Sequence, residues 1–391
     1  MSSAGPVDPG TGRTAAGTAD RIGRLASLQP LTVARWLAST DAVDGDGPFR
    51  VVDGTVVSAD ISGFTRLAER LADQGVRGAA EALIGTINRC FVPMVDDIVD
   101  RGGDVLKFGG DAVFALFIGA DHQRRAAAAA AAMQRDLVAV DLGVDLTLSM
   151  TVGIASGPVE LILAGTARRE LIVHGTVVDQ CLRLESDAEP GEILIADATA
   201  AALPSAWITE PEPEVLALVP DVDEAPPPQR AGDDGAPEAV RHRLSEERWS
   251  EALGQNLAAA IDAFDETSGE IRVVTVGFVH LPTAALDDAT VAAVVERAIE
   301  RCGRYGATML STDVAPGGLK ILLAAGAPTA GEGDEDAMLA TLTDLVLAPD
   351  APPMRAGVNR GLVFAGFLGS PRCRTFTVMG DPTNLAARLL G

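Results

Sequence analysis

Asp60 ends a run rich in β-branched residues, VVDGTVVSAD, which reads as a strand. Asp111 sits just past the Gly-Gly pair in GGDVLKFGGDAVFALF (residues 102–117), which reads as a β-hairpin. If these strands are neighbours in one sheet, both carboxylates project from the same edge. Two hard oxygen ligands there, near a backbone carbonyl, can hold a pair of Mg²⁺ or Mn²⁺ ions about 3.5–4 Å apart, a clamp for phosphoryl chemistry. The bland alternative is local: Asp60 caps the helix after it and Asp111 suits its turn. The hairpin poses a second question. The chain has only two lysines, Lys107 and Lys320, and one of them lies inside this apolar segment.

The elements that must position these residues can be read around them. Residues 1–20 read as a flexible tail and 21–50 as a helical lead-in, with Leu31, Val33 and Trp36 available to dock on the next part of the chain. A first domain is expected over 51–205. After its first strand, SGFTRLAERLADQ and GAAEALIGTINRCFVPMVDDIVDRGG read as helices, the second with Leu83, Ile87, Phe91, Val95 and Ile98 at helical spacing. The alanine run after the hairpin is a helix by propensity alone. LTLSMTVGIASG and RELIVHG are further strands, and TVVDQCLRLESDA a helix. Residues 206–270, Pro- and acid-rich over much of their length, read as a linker.

Beyond it, over 271–391, the pattern restarts. IRVVTVGFVHL parallels the first strand, GLKILLAAGAP the second arm of the hairpin, and Gly153/Gly357, Gly175/Gly380 and Arg183/Arg388 lie 204, 205 and 205 residues apart. This is an internal duplication. The first copy runs on from Arg183 through GEILIADATAAALP, whereas the second stops three residues past Arg388, so a C-terminally incomplete second domain, with further domains after it, is expected.

Composition narrows the partners. A net charge of −24 argues against nucleic acid or an anionic membrane surface as partner of the whole chain. No apolar run approaches the roughly 18 residues of a membrane span, and the polar N-terminus has no signal-peptide core. Cys90, Cys181, Cys302 and Cys373 form no CxxC pair, which suits buried thiols in a cytoplasmic protein.

VVSADISGFTRLAERL, then GGDVLKFGGDAVFALF, then TVMGDPTNLAAR closely resemble the catalytic domain of class III nucleotidyl cyclases. The tandem arrangement looks most like soluble adenylyl cyclases. The resemblance implies an α+β fold of two ferredoxin-like βαββαβ domains in a pseudo-twofold pair, with ATP bound between them. It assigns Asp60, Asp111 and the Ile61 carbonyl to two Mg²⁺ or Mn²⁺ ions. Ser62, Gly63, Phe64 and Thr65 would hold phosphate oxygens through backbone N–H groups. Arg168, or Arg169 beside it, falls near the phosphate-binding arginine. Thr377 matches the adenine-selecting position, and Asn384 and Arg388 the pair that orients the ribose and stabilises the pentavalent phosphorus; their i, i+4 spacing places both on one helix face.

The second copy has His280 at the Asp60 position and Leu319 near that of Asp111, so the other site is degenerate. Lys107 and Arg183 face it, where the resemblance implies a bicarbonate site; the alternative is that Lys107 salt-bridges an acid. The adenine-reading lysine is missing, with Leu310, Ser311 and Thr312 at its place and Lys320 on the next strand. The activity expected is conversion of ATP to cyclic AMP and pyrophosphate. The rivals are a regulatory nucleotide- or anion-binding module and a guanylyl cyclase.

Overall fold

Six consecutive residues of the first strand, Gly54 to Ala59, are buried, because both faces of the sheet are covered there. The computed structural model describes residues 15–40, 48–63, 79–140, 147–213, 215–219, 222, 237–264 and 269–390. The helix expected over SGFTRLAERLADQ lies, from Phe64 on, outside the described residues.

The lead-in forms two helices, α1 (Ala15–Ala26) and α2 (Leu31–Thr40), broken at Pro30, and Leu31, Val33 and Trp36 are buried. β1 (Phe49–Ser62) is followed by α3 (Ala79–Asp100), whose Ile87, Phe91, Val95 and Ile98 reach the core as their spacing predicts. β2 (Asp104–Gly109) and β3 (Ala112–Ile118) make the hairpin. In α4 (His122–Val138), Ala126 to Ala132 are all buried, so the alanine run packs closely rather than facing water. β4 (Ser149–Ala164), β5 (Glu170–His174), α5 (Thr176–Asp187), β6 (Ile193–Ile195) and the short α6 (Asp197–Ala200) complete this part. The sheet order is β2-β3-β1-β4, with β5 antiparallel to the end of β4 and β6 parallel to its start. β7 (Ile208–Glu212) and β8 (Val215–Leu218) extend it beyond β6.

The stretch 206–270 is thus not a bare linker. Besides β7 and β8 it holds α7 (Pro237–Arg241), α8 (Glu246–Leu253) and α9 (Gln255–Ala263). Trp249, Leu253 and Ile261 are buried in one core cluster with Leu25 and Trp36 of the lead-in. Composition hid this because the Pro-rich segment precedes the helices and dominates the average.

The second half repeats the first: β9 (Gly269–Pro282), α10 (Asp288–Tyr305), β10 (Thr308–Ala315), β11 (Gly318–Ala325), α11 (Asp334–Val346), β12 (Arg355–Ser370), β13 (Cys373–Met379) and α12 (Asp381–Arg388). Its sheet order, β10-β11-β9-β12-β13, reproduces β2-β3-β1-β4-β5. Even an irregularity recurs: the hairpin register slips at Val105/Lys107 and again at Met309/Ser311. The architecture is mixed α+β with two sheets. One apolar cluster runs between them, taking Val56, Leu106 and Leu171 from the first and Leu310, Phe367 and Phe376 from the second. All four cysteines are buried free thiols. Among the described residues no helix is long and apolar enough to cross a membrane.

Candidate active site

Asp60 lies near the end of β1, directly opposite Ala112 of β3 and Thr151 of β4. Asp111 occupies the two-residue turn of the hairpin after Gly110, which takes the left-handed conformation (φ 71°). The backbone holds the pair together: the N–H of Ile61 donates to the carbonyl of Asp111 at 3.2 Å. Burial pushes the Asp60 carboxyl up to about 7, and Asp111 and then Glu185 push in the same direction. Asp111 is raised as well, chiefly by burial.

Glu185 is the residue the sequence reading missed. It sits on α5, two residues past Arg183, and accepts a hydrogen bond from Thr151 Oγ1 at 3.0 Å. Burial raises its carboxyl, and Asp111 adds to that. It reaches the site because α5 lies directly on β4 at Gly153, where a β-carbon would stand 2.2 Å from the Cys181 carbonyl and 2.5 Å from the Glu185 nitrogen. Asp60 and Asp111 are two neighbouring, largely buried carboxylates of the kind that a hard divalent cation takes as ligands, and Glu185 is near enough to raise Asp60 further. Ile61, with its side chain buried, follows Asp60 on the same strand, and its backbone is the link to Asp111. Ser62 and Gly63 come next, Gly63 at φ 97° in the turn, while Phe64 and Thr65 lie outside the described residues.

Arg168 is engaged elsewhere. Its guanidinium donates to the carbonyls of Met309 and Leu310 on β10, the latter at 2.7 Å, and to Glu170 Oε2 at 2.9 Å. It is buried, so in this structure it pins the two halves together. Arg169 donates to the carbonyl of Gly165. Lys107 is likewise committed: Nζ donates to Glu170 Oε1 at 2.6 Å and Thr312 Oγ1 at 2.9 Å. The acid-pairing alternative for Lys107 is therefore the arrangement present. Arg183 is exposed on α5 and makes no hydrogen bond or ion pair among the described residues, so Lys107 and Arg183 share no contact. A cavity of about 60 Å³ beside Lys107 is lined by Arg168, Glu170, Ser311, Arg374 and Thr375. That is well below the roughly 300 Å³ of a small-ligand pocket.

In the second half, Thr377 is half-buried on β13 opposite Gly366. Asn384 and Arg388 are exposed on one side of α12, while Thr383 and Ala386 face inward. No hydrogen bond or ion pair ties them to Asp60 or Asp111 among the described residues. Register fixes the missing lysine: Lys107 faces Phe114, which faces Ser58, and the matching row reads Ser311, Leu322, Phe278. Ser311 therefore stands where Lys107 stands in the first half. Two residues further along β9, His280 matches Asp60; Leu319 is buried.

Residues 50–215 match the model of the adenylate and guanylate cyclase catalytic domain. That stretch belongs to the class III cyclase catalytic-domain family, whose members generally use divalent metal ions. The chain is 26% identical to adenylate cyclase type 10 of Rattus norvegicus over 155 residues, which is 37% of this chain and 9% of the relative's length. Among solved structures, a class III adenylyl cyclase-like ATP-binding protein from Pseudomonas aeruginosa shares the fold across both halves. It covers 94% of this chain and 89% of its own, with a TM-score of 0.53 at 10% identity. The guanylyl cyclase Cya2 is 26% identical over 44% of this chain and 93% of its own, with a TM-score of 0.37.

Proposed function

We propose that the chain is an adenylyl cyclase in which two cyclase homology domains, 51–205 and 271–391, form a pseudo-twofold pair around one metal-dependent site. The Asp60–Asp111 pair carries this reading, since burial raises both carboxyls, Asp111 and Glu185 raise Asp60 further, and bound cations would relieve this. The adenylate cyclase relatives support ATP as the substrate. The fold shared with the Pseudomonas protein over nearly the whole chain supports the paired arrangement.

In the reaction the ribose 3′-hydroxyl gives up its proton to solvent, its oxygen bonds to the α-phosphorus, the bond from that phosphorus to the bridging oxygen breaks, and pyrophosphate leaves. Asp60, Asp111 and the Ile61 carbonyl would hold Mg²⁺ or Mn²⁺, which would supply Lewis acidity toward the hydroxyl and the phosphates. The exposed side chains of Asn384 and Arg388 orient the ribose and place positive charge where negative charge develops. Backbone N–H groups from Ser62 to Thr65 hold phosphate oxygens, and Thr377 accepts from the adenine amino group. Incubation with ATP or GTP and Mn²⁺ is expected to yield mainly cyclic AMP, read by chromatography. A preference for GTP would make the chain a guanylyl cyclase.

The rival is a regulatory module that binds nucleotide without turning it over. One observation favours it: Ser311, not a lysine, stands at the base-reading position, beside a cavity of about 60 Å³. The missing charge-assisted hydrogen bond is worth about 1.5–3 kcal/mol, or roughly 10- to 150-fold in affinity. Ser311→Lys is therefore expected to raise kcat/KM for ATP by at least about tenfold. Lys320→Ala should leave ATP use within about twofold, because Lys320 faces His280 and Asp313 across the sheet. Nucleotide binding with no cyclic product in wild type or Ser311→Lys would establish the rival.

Bicarbonate stimulation through Lys107 and Arg183 is the regulatory part of this reading. It requires Lys107 to leave Glu170. The response to bicarbonate at constant pH is thus expected to be larger in Glu170→Gln than in wild type, and absent in Lys107→Ala. The same response in all three would take Lys107 out of regulation.

A further inference from the structure

The row across the first sheet through Asp60 reads Gly109, Ala112, Asp60, Thr151. The matching row of the second sheet reads Asp313, Lys320, His280, Arg355. Residues directly opposite in antiparallel strands share a face, so Lys320, His280 and Arg355 form one line across β11, β9 and β12. Strands lie about 4.8 Å apart, which sets the outer two backbone positions roughly 10 Å apart with the imidazole between them. Both cations act on His280: burial, then Arg355, then Lys320 hold its pKa below the ordinary histidine range. Its Nδ1 is buried with no hydrogen-bond partner. Its Nε2 lies by the β10–β11 turn, where a β-carbon on Gly318 would stand 3.0 Å from it. Arg355 is exposed and Lys320 half-buried. The acid of the row, Asp313, is directly opposite Lys320, whose charge offsets part of the rise that burial imposes on its carboxyl, and that carboxyl also lies against Gly109 of the first half.

Where the first half gathers acids, the second gathers three basic groups, on a chain whose net charge is −24. We propose that Lys320, His280 and Arg355 form a metal-independent site for a diphosphate group, free or as part of a nucleotide's phosphate chain. Charge selects an anion. The spacing of the outer two backbone positions on either side of the imidazole suits a two-centre anion better than a single small one. The buried Nδ1 leaves His280 able to present Nε2 as a donor once an anion neutralises its neighbours. This inference does not rest on turnover at the first-half cluster.

The test is calorimetry in EDTA on the whole chain with pyrophosphate, ATP, AMP and bicarbonate, alongside proton NMR of the imidazoles. Only four histidines are present, and His280→Asn assigns the signal. Pyrophosphate should bind without metal, move the His280 resonance and raise its titration midpoint. Arg355→Gln and Lys320→Ala should each weaken binding by roughly tenfold or more, whereas Asp111→Asn should leave it unchanged. Tighter binding of ATP than of pyrophosphate, with the same dependence on Arg355, identifies the nucleotide as the source; the reverse identifies free diphosphate. Equal affinity for bicarbonate, insensitivity to Arg355→Gln in a variant with an unchanged melting curve, or no His280 response at millimolar pyrophosphate would each overturn the proposal.

Discussion

Asp60→Asn is expected to stabilise the metal-free protein while removing turnover. The sign is set by the direction of the shift. The Asp60 pKa is raised from 3.8 to about 7, chiefly by burial and then by Asp111 and Glu185, so the folded chain holds that proton more tightly than the unfolded one. Its favourable contribution is complete below pH 3.8 and is lost as the pH rises through about 7. The rise from 3.8 to about 7 corresponds to at most about 4 kcal/mol. In EDTA, wild type should therefore melt lower at pH 8 than at pH 5.5, and Mn²⁺ should restore more at pH 8. Asp97, raised to about 6 by burial, slopes the same way and remains in the variant. The diagnostic is accordingly the difference between the wild-type and Asp60→Asn melting curves, which should open between pH 4 and 8.

Turnover should fall by about 10³-fold or more, since metal ions contribute several kcal/mol to the transition state. His280→Ala should change turnover by less than about twofold, because its row lies in the other sheet. Full activity in Asp60→Asn or Asp111→Asn would remove the metal reading altogether.

The contrast between Asp60 and Glu185 shows what sequence alone can reveal. Asp60 and Asp111 are legible because each closes a local element, a strand end and a hairpin turn, whose signals sit within a few residues. Glu185 is not, because its place depends on α5 resting on Gly153, a contact between elements 32 residues apart. Lys107 shows the same limit. Its oddity in an apolar hairpin was visible, but its partner Glu170 lies 63 residues on and Thr312 lies 205 residues on. The family resemblance implies a phosphate role for Arg168 or Arg169; the carbonyls of Met309 and Leu310 that hold Arg168 have no sequence signature at all. The duplication was legible through its glycines for a physical reason. Gly153 and Gly357 both admit a helix carbonyl at 2.2 Å from a would-be β-carbon, so the same packing demands the same residue twice.

Glu170→Ala is expected to be the most destabilising single change at the boundary between the two sheets, costing about 3–5 kcal/mol. Glu170 Oε1 accepts from Lys107 Nζ at 2.6 Å and from the Thr312 nitrogen and Oγ1, each at 2.8 Å, while Oε2 accepts from Arg168 at 2.9 Å. Burial alone would raise its carboxyl, but Lys107, Arg168 and the hydrogen bonds outweigh that and lower it. With the folded pKa depressed, its contribution is present above the ordinary value of 4.5 and lost as the pH falls below it, opposite in slope to Asp60. Truncation leaves Lys107 and Arg168 buried without their shared anion. The double variant Lys107→Met/Glu170→Leu should recover part of the loss, since apolar replacement of a buried ion pair costs far less than orphaning one partner. Because Thr312, Met309 and Leu310 belong to the second sheet, Glu170→Ala should also loosen the coupling between halves. Denaturant melts followed by Trp36 and Trp249 fluorescence and by far-ultraviolet circular dichroism should then stop coinciding. A loss below about 1 kcal/mol, the level of an ordinary exposed pair, would show that the two sheets are held by their shared apolar core and not by this network.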